Sequence, residues 1–167
     1  DGRHVVHSIV VGELTARDTC MNDSGLTFGG SSAGSVFEQT LQNPPIEAGL
    51  YAMLCSCQTT SEAIAFMRAH PWVGKGYNFV VLDANGEGAV LECACPLVQV
   101  RRPQADEDAI FCANTYKLPT LLNADLRTPE GKEYSERRYT YLQHKLFREH
   151  VPHTIAQRSE ERRVGKE

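Results

Sequence analysis

The sequence predicts an α+β domain built on antiparallel sheets, and three observations lead there. β-Rich runs and helical patterns fall in separate blocks, tight-turn residues sit between neighbouring strands, and no βαβ alternation occurs. The chain has 167 residues, 41% hydrophobic and 23% charged, which is enough for one domain with its own core.

The elements follow in order. His4 to Val11 reads as a strand, Asn22-Asp23-Ser24-Gly25 is turn chemistry, and Leu26 to Gly30 resumes as a second strand, so a hairpin is expected. Ser31 to Asn43, rich in small residues, suits a loop or the wall of a cavity. Pro44-Pro45 then opens a helix with Ile46, Leu50, Met53 and Leu54 on one face. A second helix starts near Ser61 behind a Thr-Thr-Ser cap region, carries Ile64, Phe66 and Met67, and is closed by Pro71. Asn78 to Leu82 and Gly88 to Cys93 are strands around the tight turn Asp83-Ala84-Asn85-Gly86. Pro96 to Arg102 continues the sheet, and Ala109 to Ala113 reads as one more strand. From Tyr134 to about His150 a helix resumes, with Tyr139, Leu142 and Leu146 placed to pack inward.

Composition excludes some classes. A net charge of −4 and a pI near 5.9 argue against a nucleic-acid partner, which calls for a basic face. Apolar runs such as Phe79 to Leu82 are far too short to cross a bilayer, so no membrane partner is expected. The six cysteines (Cys20, Cys55, Cys57, Cys93, Cys95, Cys112) lack the two-to-four-residue gaps of common structural zinc sites. They read as free thiols packed as small apolar residues, and they favour a reducing cytoplasm. No cofactor motif and no metal site is read. His4 and His7 point to opposite faces of a strand, Pro152 separates His150 from His153, and no H-E-x-x-H or glycine-rich phosphate loop occurs.

A serine-hydrolase elbow is spelled by Gly30-Ser31-Ser32-Ala33-Gly34. That motif needs a sharp strand-to-helix turn, and Ser35 to Asn43 makes a poor helix, so a Ser/Gly-rich loop is the better reading.

A different chemistry comes from resemblance over about residues 5–150. The order Met21-Asn22-Asp23-Ser24-Gly25-Leu26, two helices, Tyr77 to Gly86, Val90-Leu91-Glu92 and Ala113-Asn114-Thr115-Tyr116 resembles the penicillin acyltransferase family. Tyr134-Ser135-Glu136-Arg137-Arg138 is similar to that family's Ser-x-x-Arg segment. The family includes acyl-CoA:isopenicillin N acyltransferases and is related to choloylglycine hydrolases. The resemblance implies an αββα sandwich and a cysteine nucleophile at a new N-terminus exposed by self-cleavage. Its substrates would be small-molecule amides or acyl thioesters, taken through an acyl-enzyme to water or to an amine.

Residue by residue, Asn114 matches the family's active-site asparagine, whose amide can donate to an oxyanion. Asn22 and Gly25 match a structural Asn-x-x-Gly turn. Where relatives carry an oxyanion-lining asparagine, this chain has Ser31 and Ser32, whose hydroxyls are the substrate-binding candidates. Arg138, or its neighbour Arg137, matches an arginine that organises the site. Cys20 stands where relatives have glycine, so the nucleophile is expected upstream of Asp1. Residues 1–157 then read as one incomplete domain, and 158–167 as a charged tail of non-native composition, similar to a translated sequencing-adaptor run. On this reading the 167 residues alone are expected to be inactive. The alternative is an inactive binding or structural module on the same scaffold. Acyl specificity and oligomeric state are not legible.

Overall fold

The computed structural model describes residues 4–8, 19–37 and 40–147. The expected strand residues 9–11, the end of the last helix, His150, His153 and the charged tail lie outside the described residues. Among the described residues six strands, β1 (Val5–Ser8), β2 (Thr19–Asn22), β3 (Thr27–Ser32), β4 (Tyr77–Leu82), β5 (Gly88–Ala94) and β6 (Leu97–Arg101), form one sheet in sequential order. Every neighbouring pair is antiparallel. Helices α1 (Ile46–Ser56) and α2 (Thr60–Arg68) interrupt the meander between β3 and β4, and α3 (Pro129–Phe147) closes it after a 3-10 helix over Pro119–Ala124. This is the mixed α+β, antiparallel architecture the sequence predicts.

α1 and α2 cover one face of the sheet. Ile46, Leu50, Met53, Leu54, Ala63, Ile64 and Met67 meet Phe28, Phe79, Val81, Leu91 and Cys93 in a continuous core, with Phe66 packed at its margin. The alternation of the strands supplies one half of that contact and the 3.6-residue period the other. Phe28 and Phe79 meet edge to face at 6.0 Å. Gly49, in the middle of α1, lets Trp72 lie against the helix, since a Cβ there would stand 2.5 Å from the ring. Thr59 caps α2 by accepting from the Glu62 N–H at 3.2 Å, as its sequence signal predicts.

The first hairpin differs from the expectation. The Asn22–Gly25 turn joins β2 to β3, and β1 pairs with the outer side of β2. Thr19–Asn22 is too short to carry a strand pattern of its own, and its last residue belongs to the turn motif. Asn22 holds this corner. Its Oδ1 accepts from the N–H groups of Ser24 and Leu26, while Nδ2 donates to Leu54 O and Cys57 O, both at 2.8 Å. Gly25 takes φ +81°, and a Cβ there would meet Ala84.

The second turn is organised by Asp83, whose carboxylate accepts from the N–H groups of Thr60, Asn85 and Glu87 at 2.9–3.1 Å. The Thr60 bond is the leading cause that holds this carboxyl below its ordinary range. A depressed folded-state pKa stabilises above the unfolded value, about 4 for aspartate, and the stabilisation is lost as pH falls through the folded value. Asp83→Ala is therefore expected to cost about 2–4 kcal/mol in urea unfolding at neutral pH. The gap to wild type should narrow on acidification, and a gap constant with pH would contradict the assignment.

Ala109–Ala113, expected as a strand, is not one. This segment crosses the sheet face opposite α1 and α2, and side chains from below take its backbone groups. Arg101 Nη2 donates to Phe111 O at 2.8 Å, and Asn78 Nδ2 donates to Ala113 O at 2.9 Å. α3 begins at Pro129, earlier than expected, with Thr128 Oγ1 accepting from Gly131 N–H. Its packing also differs, for Leu142 is 37% exposed and Ser135 is fully buried. Tyr139 does pack inward, 4.6 Å from the Phe111 ring.

Candidate active site

The segment 113–118 carries the candidate asparagine across that second face of the sheet. β4 and β5 are mostly apolar, yet each places one fully buried polar residue on this side, Asn78 and Glu92, directly paired across the strands. Glu92 accepts from the N–H groups of Lys117 and Leu118 at 2.8 and 3.0 Å and from Arg101 Nε at 3.2 Å. Tyr116 turns its ring inward against Ala33, Ala94, Leu121 and Ala124, and its hydroxyl donates to Cys93 O at 3.1 Å. Burial pushes that phenol well above its ordinary range, so it stays a donor.

Asn114 itself is half-buried. Its Nδ2 donates to the Ser32 carbonyl at 2.7 Å, and its Oδ1 accepts from Arg138 Nη2 at 2.5 Å. Three of the candidates thus come together from β3, the 113–118 segment and α3, although 82 residues separate Ser32 from Asn114. One amide hydrogen is committed to Ser32, which leaves the second for an external acceptor. Of the two arginines, Arg138 joins the site, and its guanidinium also lies 4.8 Å from the centre of the Tyr134 ring. Arg137 pairs with Glu133 at 2.8 Å on the exposed side, as the roughly 100° step between successive helix residues requires.

Ser32 is the last residue of β3, and what it offers Asn114 is its backbone carbonyl. Ser31 is half-buried and pairs across the sheet with Asn78. Among the described residues no helix follows Ser32 before Ile46; residues 33–37 are not helical and Ala33 donates its N–H to Gly76 O, so Ser32 does not sit on a strand-to-helix elbow.

α3 is fastened to the segment beside Asn114. Thr115 Oγ1 donates to Glu136 Oε1 at 2.9 Å and lies 3.3 Å from Ser135 Oγ, while Lys117 forms an ion pair with Glu136 Oε2. Burial works to raise the Glu136 carboxyl, but the Lys117 and Thr115 bonds and the lysine charge outweigh it and hold the carboxyl low. Sequence reasoning did not single out Asn78, Glu92, Thr115, Lys117 or Glu136. The legible signal for two of them was a polar residue inside an apolar strand, Tyr-Asn-Phe-Val-Val and Val-Leu-Glu-Cys.

All six cysteines lie among the described residues, and none is in a disulfide. Cys20 is buried in the core beneath α1 and α2. Desolvation pushes Cys93 well up, Cys95 to about 12 and Cys112 to about 11, so these three are protonated thiols rather than nucleophilic thiolates. Among the described residues no group of three or more His, Cys, Asp or Glu is disposed to hold a metal, and no helix is long and apolar enough to cross a membrane.

Residues 6–162 match the family model of acyl-coenzyme A:6-aminopenicillanic acid acyl-transferase. The chain belongs to that family. Among solved structures it is similar to a variant of conjugated bile acid hydrolase from Clostridium perfringens, at 15% identity and a TM-score of 0.45. That match takes in 61% of this chain and 36% of the other, so the chain spans little more than a third of that hydrolase. No protein with a curated description matches.

Proposed function

We propose that the chain is part of an autoprocessed cysteine N-terminal-nucleophile enzyme that hydrolyses or transfers acyl groups at linear amide bonds. The observation that carries this is the Arg138–Asn114–Ser32 junction, which aims an amide donor from a rigid sheet face. The nucleophile is a cysteine upstream of Asp1; the elevated thiols of Cys93, Cys95 and Cys112 and the burial of Cys20 favour this assignment.

In the reaction the thiolate attacks the substrate carbonyl carbon, and the carbonyl π pair moves to oxygen. The second Asn114 amide hydrogen stabilises that oxyanion. Arg138, bonded to the Asn114 oxygen, polarises the amide and strengthens its N–H as a donor. Collapse expels the amine, which takes a proton from the α-ammonium formed when the cysteine's own amine accepted the thiol proton. The thioester then passes its acyl group to water or to an amine, and an acyl-CoA thioester enters by the same route.

The test is to express the reading frame extended upstream and to sequence the N-terminus of the purified protein. A new N-terminal cysteine is expected, together with amine release from penicillin-type or N-acyl amino acid substrates. The 167 residues alone are expected to show none. Turnover by them that disappears in Cys20→Ala would place the nucleophile at Cys20 instead. No upstream cysteine and no turnover would leave an inactive module on the same scaffold.

A further inference from the structure

Asn78 is fully buried in β4, paired across the sheet with Ser31 on one side and Glu92 on the other. Its Nδ2 spends one hydrogen on Ala113 O at 2.9 Å and the other on Thr115 O at 2.8 Å. These carbonyls flank Asn114. We propose that Asn78 is the positioning residue for Asn114: by fixing the backbone on both sides, it sets the direction in which the Asn114 amide points. The proposal rests on the reading of Asn114 as the oxyanion donor.

The geometry is specific to a primary amide. One nitrogen with two hydrogens spans the carbonyls of Ala113 and Thr115, on either side of Asn114, so the torsions of Asn114 lie between two fixed points. Aspartate would oppose both carbonyls with negative charge, and leucine would leave both without a donor. Asn78 Oδ1 meets no donor among the described residues. The amide is thus costly on its oxygen side, and what it supplies is backbone placement on its nitrogen side.

The fold contains a control. Asn22 also spans two carbonyls with Nδ2, Leu54 O and Cys57 O, but on the corner beneath α1 and away from Asn114. In the intact protein, assayed below the melting point of every variant, Asn78→Ala is expected to lower kcat about 100-fold with KM changed by less than about threefold. Asn22 makes four side-chain hydrogen bonds against two for Asn78, so Asn22→Ala should lose at least as much thermal stability and yet keep kcat within about twofold. If Asn78→Ala does not fold, Asn78→Ser retains one donor and should show an intermediate loss in kcat.

Full kcat in a folded Asn78 variant would overturn the proposal, as would an equal loss in Asn22→Ala. A second readout needs no turnover. The Asn114 side-chain amide resonance, assigned by its disappearance in Asn114→Asp, should shift and exchange faster in the Asn78 variant and stay in place in Asn22→Ala. If the unmodified protein turns over no amide, the acyl-transfer reading fails and this resonance alone decides the positioning role. An unmoved resonance then refutes it.

Discussion

Asn114→Ala in the intact protein is expected to lower kcat by about 10²- to 10³-fold, the loss seen when one oxyanion donor is removed, about 3–4 kcal/mol of barrier. KM should change little, because the donor acts where negative charge develops rather than on the ground-state carbonyl. Asn114→Asp separates donor from size. It keeps the shape and can still pair with Arg138, but it has no N–H for Ser32 O or for an oxyanion. An equal loss is expected in Asp and Ala, with folding retained, since the residue is half-buried and its hydrogen bonds lie at the surface. A kcat near wild type in either variant would remove Asn114 from the chemistry.

Glu92→Ala has the largest expected effect on stability, a loss of about 3–5 kcal/mol, because it leaves a buried ionic network without its anion. The Glu92 side chain is 1% exposed, and its loss strands Arg101 and the N–H groups of Lys117 and Leu118. The same change frees the far end of the segment that carries Asn114, so activity should fall along with stability. Urea unfolding of the intact protein measures it. A loss under about 1 kcal/mol would mean that solvent readily replaces the carboxylate. Glu92→Gln, which keeps one acceptor oxygen, should fall between the two.

The elements most legible in the sequence are those whose signals are local. Pro44-Pro45 marks the entry to α1 and the 3.6-residue spacing of Ile46, Leu50, Met53 and Leu54 marks its buried face, while Thr59 caps α2. Asp83 to Gly86 marks the β4–β5 turn, because its carboxylate needs only residues close in sequence plus Thr60. The misplaced elements are those whose backbone partners are remote. Ala109–Ala113 has a strand-like composition, yet its carbonyls go to Arg101 and Asn78 side chains. β2 is four residues long and exists because β1 and β3 flank it.

For the site the division is the same. Asn114, Arg138 and the Ser31-Ser32 pair were reachable from the sequence as residue types in a family-like order. Which arginine faces Asn114 depends on the rotation of α3, set by Ser135 seated at Thr115 and Glu136 at Lys117. That Ser32 contributes a carbonyl follows from where β3 ends. By itself, then, the sequence determined the α+β blocks, the buried faces of α1 and α2 and the Asn22–Gly25 and Asp83–Gly86 turns, because propensity, periodicity and turn chemistry act over a few residues; the site candidates came from the family-like order of motifs. Only the tertiary structure decided that Asn78 and Glu92 reach up from the sheet to hold the segment bearing Asn114. Hydrogen bonds between groups 25 or more residues apart leave no periodic trace in the chain.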